Sequence, residues 1–249
     1  PTNLMIPFFR KIRKTLADDN KPIKYLRYAI GEMVMVVIGI LIALQINNWN
    51  ETRKLQNTMK SVYSIIKTDL QSDIKNIDLV ITEMAPRDSI FKRVINNDMT
   101  KDDYLNCEYC CFILYGFPDI TLNKRGVKLL EDNSAVFNSH QDSLSIEISN
   151  FYAYFNTEIG VALDEVIIDY EDNYSYFKNN KAWFKDYINK VKSDELINYQ
   201  LTSSDYLNRV NSFYTLYYES FLGESYLGHL RNYKGNALLL IEKINKKVE

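Results

Sequence analysis

From Met33 to Asn50 the chain runs eighteen residues without a charge, and Met33–Leu44 is apolar throughout apart from Gly39. Taken from Tyr28 to Ile46, the span is nineteen residues with one charge, Glu32. A helix rising ~1.5 Å per residue would be about 28 Å long over that span, close to the ~30 Å hydrocarbon core of a bilayer. No other window comes near it, so the pattern predicts one transmembrane helix. A buried core helix and a cleavable signal peptide are the alternatives. A signal-peptide core is shorter and ends in small residues. Here it ends Leu44-Gln45-Ile46-Asn47-Asn48-Trp49, which suits an interfacial edge, so an uncleaved signal anchor is expected.

Beyond the anchor the pattern stays helical. Between Gly39 and Pro86 there is neither Gly nor Pro, and Leu55, Met59, Val62, Ile66, Leu70, Ile74, Ile77 and Ile81 form an apolar stripe. Their mean spacing, near ~3.7, predicts an amphipathic helix and departs from the 3.5 of a left-handed coiled coil. One helix out of the membrane to about Ala85 is expected, with a break at Asn47-Asn48 as the competing view. Pro86 is expected to end it. A helix through Ile90, Phe91, Val94 and Ile95 follows. The next is capped by Thr100 or Asp102 and carries Tyr104, Leu105 and Phe112-Ile113-Leu114. Gly116-Phe117-Pro118-Asp119 reads as a turn. Further helices are expected over 121–132, over 141–178 with a kink at Gly160, over 183–191, and over 204–247 as one long or two shorter helices. In that last stretch Gly223, Gly228 and Gly235 are the weak points. No segment alternates with period two, and there is no repeat or low-complexity linker.

Charge decides orientation. Arg10, Lys11, Arg13, Lys14, Lys21, Lys24 and Arg27 precede the span, and only Arg53 and Lys54 follow it closely. The positive-inside bias places the N-terminus in the cytoplasm, and Tyr25 and Tyr28 on one side with Trp49 on the other fit the aromatic belts. Ile6, Phe9, Ile12 and Leu16 recur at helical spacing among basic residues. That suits a short helix lying on an anionic leaflet, or else a basic tail that only sets topology.

The expected fold is therefore all-α: an N-terminal single transmembrane helix continuing into a periplasmic antiparallel helical bundle. Residues 1–27 form a cytoplasmic basic segment, 28–49 the signal anchor and 50–249 the periplasmic domain, in a bacterial inner membrane. Composition agrees with a folded chain, with 46% hydrophobic and 25% charged residues, and 8 Gly and 5 Pro give little turn chemistry for an all-β fold. A net charge of −2 argues against a globally basic nucleic-acid binder.

Glu32 stands out inside the anchor, because a carboxylate in hydrocarbon is disfavoured by up to ~3 kcal/mol. Near the edge it can reach the headgroups or pair with Lys24 or Arg27. At about 100° per residue, Glu32, Gly39 and Ala43 also share one face, and small residues four apart let a second helix approach closely. This stripe is an expected helix–helix interface.

Candidate chemistry is sparse. Cys107, Cys110 and Cys111 are open to three readings: small buried apolar residues, a local Cys107–Cys110 disulfide, or a metal or redox pair. The last lacks a second Cys-x-x-Cys. The acidic run Asp164, Glu165, Asp169, Glu171 and Asp172 reads as a solvated helix face, and His140 and His229 as surface or capping residues. No phosphate-binding Gly loop, nucleophile elbow or dinucleotide fingerprint occurs. No catalytic residue, metal site or cofactor is assigned.

Three runs carry a resemblance: Phe8-Phe9-Arg10-Lys11-Ile12-Arg13, Lys24 to Glu32, and Val37 to Glu51. They resemble a Bacteroidota family of single-pass membrane proteins, the domain-of-unknown-function family catalogued as 6090. The likeness is close over about the first fifty residues, and the rest is similar in outline, a helical ectodomain. In that family Met5 corresponds to the usual start, which would leave Pro1–Leu4 as an upstream extension. The resemblance implies location and architecture and brings no activity or site residue. The expected role is a membrane-anchored interaction or scaffold protein, such as an accessory subunit of an inner-membrane complex, and not an enzyme. Its partners would be the lipid bilayer and other membrane subunits or a second copy, with no nucleic acid. A ligand-sensing periplasmic bundle that signals through a partner is the alternative.

Overall fold

The computed structural model describes residues 22–139, 142–219 and 224–248. The expected amphipathic segment before Lys21, together with His140 and Gly223, lies outside the described residues, as do the side chains of Tyr25 and Tyr28. The elements are α1 (Pro22–Ile95), α2 (Lys101–Asn106), a 3-10 turn (Cys110–Phe112), α3 (Arg125–Asp132), α4 (Ser134–Ser139), α5 (Ser143–Asn180), α6 (Phe184–Ile188), α7 (Asp194–Thr202), α8 (Ser204–Tyr217) and α9 (Tyr226–Val248). Among the described residues there is no strand. The chain divides into two compact units, residues 1–58 and 59–249, and α1 contributes to both.

In the first unit α1 begins at Pro22, whose missing N–H costs nothing at a first helical position. Its side chains from Met33 to Trp49 are exposed on every face. An 18-residue window reaches a mean hydropathy of 2.3 with none of it buried, so this helix is long and apolar enough to cross a membrane. Asn47-Asn48 does not break it. Asn47 Nδ2 donates to Glu51 Oε1 at 2.9 Å and the Thr52 hydroxyl to the Asn48 carbonyl at 2.9 Å, both one turn along the helix. The Asn47 amide is thus spent on a side chain of the same helix instead of competing with its backbone.

In the second unit the buried positions of α1 are Met59, Val62, Tyr63, Ile66, Asp69, Leu70, Asp73, Ile77, Val80, Met84, Phe91 and Val94. The expected stripe lies on this face: Met59, Val62, Ile66, Leu70 and Ile77 are buried, and Ile74 and Ile81 are half-buried and packed on the core. It did not include Tyr63, Asp69 and Asp73, which are buried with it. The expected stop at Pro86 is corrected, since α1 continues to Ile95. An interior proline costs about 3 kcal/mol. Here its ring is exposed, while Met84, Phe91 and Val94 are buried around it, each contributing about 1.5–3 kcal/mol.

The middle of the chain is less regular than expected. Thr100 caps α2 through a capping box with Asp103, but α2 ends at Asn106, and Phe112-Ile113-Leu114 lies in and after the 3-10 turn. The segment before α3 stays non-helical because Asp73 of α1 takes its backbone: Asn123 N–H donates to Asp73 Oδ1 at 3.0 Å. Helix α6 is shorter than its expected 183–191, and α7 was not anticipated. Helices α8 and α9 are separate, with Gly228 and Gly235 inside α9. Gly160 lies within the 38-residue α5.

Helices α5, α8 and α9 pack together and on the Met59–Ile95 part of α1. The core is rich in aromatic rings. Phe91 stacks on Phe213 at 5.6 Å and tilts against Tyr218 at 5.1 Å, and Tyr233 sits between Phe151 and Phe155 at 5.0 and 5.4 Å. Several of the tyrosine hydroxyls reach polar partners at the edge of the core, as buried Tyr favours. Tyr217 donates to the Pro118 carbonyl at 2.7 Å and Tyr63 to Asp142, the residue that caps α5.

Candidate functional site

Two carboxylates one turn apart on α1, Asp69 and Asp73, are buried in the second unit. Asp73 Oδ1 accepts from Asn123 N and Nδ2 (3.0 and 2.6 Å), and its Oδ2 accepts from Tyr233 Oη at 2.7 Å. Asp69 accepts from Gly126 N–H at 2.7 Å and from Arg125 at 3.2 Å. Gly126 lies directly against α1: a Cβ there would fall 2.6 Å from Ile66 Cγ1 and 2.8 Å from Ile66 Cα. Asp69 therefore pins the first turn of α3, and Asp73 pins the loop before it and also α9. Burial raises the Asp73 pKa above the ordinary carboxylate value, against the lowering effect of its hydrogen bonds from Tyr233 and Asn123. With both oxygens engaged by Asn123 and Tyr233, Asp73 is a positioning group.

A second polar cluster joins α5 to α8. Arg209 bonds Asp172 at 2.8 Å and Asn173 at 2.9 Å, and its guanidinium lies 3.7 Å from the Tyr176 ring centroid. Asp169 accepts from Ser212 and Asn173, and its pKa is raised by burial. The expectation that the whole acidic run faces solvent is corrected at one position: Asp164, Glu165, Glu171 and Asp172 do so, Asp172 also pairing with Arg209, whereas Asp169 is half-buried and binds Ser212 of α8. His229, expected as a surface or capping residue, is buried in the first turn of α9.

Cys107 and Cys110 form a disulfide, and Cys111 is free and buried. Burial pushes the Cys111 thiol up to about 11, so almost none of it is thiolate at neutral pH. Among the described residues no group of His, Cys, Asp and Glu could hold a metal.

What the second unit leaves uncovered is apolar. Along α5, Ile146, Tyr154, Val161 and Ile168 are 55–67% exposed, the last three at seven-residue intervals. At about 100° per residue the four fall within about 80° of one another. Leu239 of α9 is also exposed, and it shares with Tyr154 and Phe151 a groove of about 550 Å³ between α5 and α9, bridged by the Lys243–Glu147 ion pair. Single exposed leucines are ordinary, but a stripe beside a groove on one helix marks a contact surface. In the first unit Glu32 is half-buried, Ala43 is exposed, and nothing lies within 4 Å of a Cβ placed on Gly39. Trp49 is exposed, with Arg53 6.0 Å from its ring.

Residues 32–159, just over half of the chain, match the model of a family described as a family of unknown function (DUF6090). The chain belongs to this family. The DUF6090 match takes in the apolar window of α1, both buried carboxylates, the disulfide and the first half of α5, and it stops before α6–α9. No curated protein and no solved structure matches the chain.

Proposed function

We propose that this DUF6090 chain is a membrane-anchored interaction protein, an accessory or scaffold subunit of a bacterial inner-membrane complex, in a Bacteroidota cell by the resemblance of its first fifty residues. The observation that carries the reading is the uncovered stripe on α5 beside the α5–α9 groove. Burying one such side chain is worth roughly 1.5–3 kcal/mol, so a partner covering three or four of them gains enough to offset the cost of association.

In this reading residues 28–49 span the bilayer once, the basic N-terminal residues stay in the cytoplasm, and the helical domain lies in the periplasm as an antiparallel bundle. The flanking charges support the orientation. The disulfide suits an oxidising compartment, and the buried Cys111 is shielded from it. The antiparallel arrangement is supported by the pairing of Lys60 with the Val248 carbonyl and of Asp73 with Tyr233. Within the bilayer, Glu32, Gly39 and Ala43 are the face offered to a second helix.

The protein should resist alkaline carbonate extraction, and protease added to spheroplasts should digest the domain. Purified from native membranes in mild detergent, it should bring partner subunits with it. Val161→Asp with Ile168→Asp should abolish that recovery while leaving the melting temperature within about 2 °C, because surface substitutions usually cost under ~0.5 kcal/mol. Recovery of the same proteins by the double variant would defeat the proposal.

A further inference from the structure

The Cys107–Cys110 loop walls a cleft of about 360 Å³ in the second unit, apart from the α5 stripe. Two cations line it. Arg87 donates from Nη1 to the Gly116 carbonyl at 2.9 Å and holds its guanidinium 5.5 Å from the Tyr109 ring centroid. Lys190 places its ammonium 5.3 Å from the Tyr115 ring centroid. Among the described residues neither is paired with a carboxylate, so both keep donors for something else.

Lys190 is also the less expected residue at its position. Its φ is 56°, the left-handed region that glycine or asparagine favours, and it closes α6: Lys190 N–H donates to the Tyr187 carbonyl at 3.2 Å and Val191 N–H to the Asp186 carbonyl at 2.8 Å. The helix end thus fixes the backbone from which the Lys190 side chain enters the cleft. Tyr109, half-exposed, is fixed by the four-residue disulfide loop and backs Arg87. The charges set in place by neighbours are thus the positive ones, and the ring faces between them are flat. Glu83 and Glu108, both exposed and making no ion pair among the described residues, stand at the same cleft and disfavour a multiply charged anion.

We propose that this cleft binds a single carboxylate carried on a flat apolar body, with Arg87 and Lys190 taking the carboxylate and the rings of Tyr109, Tyr115 and Phe117 taking the body. A free aromatic acid and a peptide chain ending in an aromatic residue both offer that chemistry.

The test uses the full chain in lipid nanodiscs, with empty nanodiscs as the blank, followed by saturation-transfer NMR and calorimetry. The probes are phenylacetate, N-acetylphenylalanine, an acetylated tripeptide ending in phenylalanine, N-acetylphenylalaninamide and inorganic phosphate. The carboxylates should bind, and the amide and phosphate should not. Tighter binding of the tripeptide would assign the site to a chain terminus, and tighter binding of phenylacetate to a free acid. Lys190→Asn removes the charge while suiting the left-handed backbone, and should weaken carboxylate binding about tenfold, the loss of one charge-assisted hydrogen bond. Arg87→Met should weaken it at least as much, and Glu83→Gln should tighten it. Equal binding of acid and amide, phosphate binding as tight as that of the acids, no binding at all, or an unchanged affinity in Lys190→Asn would overturn the proposal.

Discussion

Gly126→Ala is expected to lower stability by about 3 kcal/mol or more, which for a domain of this size is roughly 6–12 °C in melting temperature. The added methyl would meet α1 at 2.6 Å from Ile66 Cγ1, and also the Ile66 backbone at 2.8 and 2.9 Å. A flexible side-chain tip could rotate away, but a helix backbone cannot. The first turn of α3 must therefore lift, and lifting it weakens the Gly126 N–H hydrogen bond to buried Asp69. Trimming Ile66 to Ala in the same chain should not restore stability, because the backbone contacts remain. Gly160→Ala is the matched control. Gly160 is an interior helical position with nothing within 4 Å of a new Cβ, so there the change should add up to about 1 kcal/mol by reducing the entropy of the unfolded chain. Thermal unfolding of both variants decides the matter, and a Gly126→Ala protein as stable as the parent would mean that the first turn of α3 does not rest on α1.

Asp73→Ala should cost about 3–5 kcal/mol, because it strands the Tyr233 hydroxyl and the Asn123 donors in the interior. Asp73→Asn keeps an oxygen for Asn123 and removes the buried charge, so it should cost no more than about 1.5 kcal/mol. The two variants also differ from the parent in pH dependence. The folded-state pKa of Asp73 is raised, so the folded protein binds the proton more tightly than the unfolded chain. This contribution to stability is complete below the ordinary carboxylate pKa and is lost as pH rises through the raised folded value. Either substitution should remove that downward slope above about pH 4. Denaturant titrations at several pH values would show it. An unchanged slope in Asp73→Asn would assign the pH dependence to another group, with Asp169, also raised by burial, as the next to replace.

How legible these features were depends on whether their cause is local. The Thr100 cap needs only a hydroxyl and Asp103 three residues on, and it can be read directly. Pro86 was misread because its local penalty is real but smaller than the burial of Met84 and Phe91 on either side, and burial is not written in the sequence. Asp73 was invisible for the same reason. A carboxylate among Ile, Leu and Val reads as a solvent-facing position unless Tyr233 and Asn123, 160 and 50 residues away, are known to meet it. Gly126 gave no signal either, since its need to be glycine arises from a helix that begins a hundred residues earlier.

By itself the sequence determined the helical class and one apolar stretch of bilayer length, because backbone hydrogen bonding and hydrophobic periodicity act over a few residues at a time. Its opening residues also carried the likeness to the family that the chain proves to belong to. Only the tertiary structure decided which carboxylates are buried, which cysteine stays free, and which face of α5 is left bare. Those outcomes depend on segments meeting across tens to hundreds of residues, where the free energy of a contact belongs to both partners and to neither stretch of sequence alone.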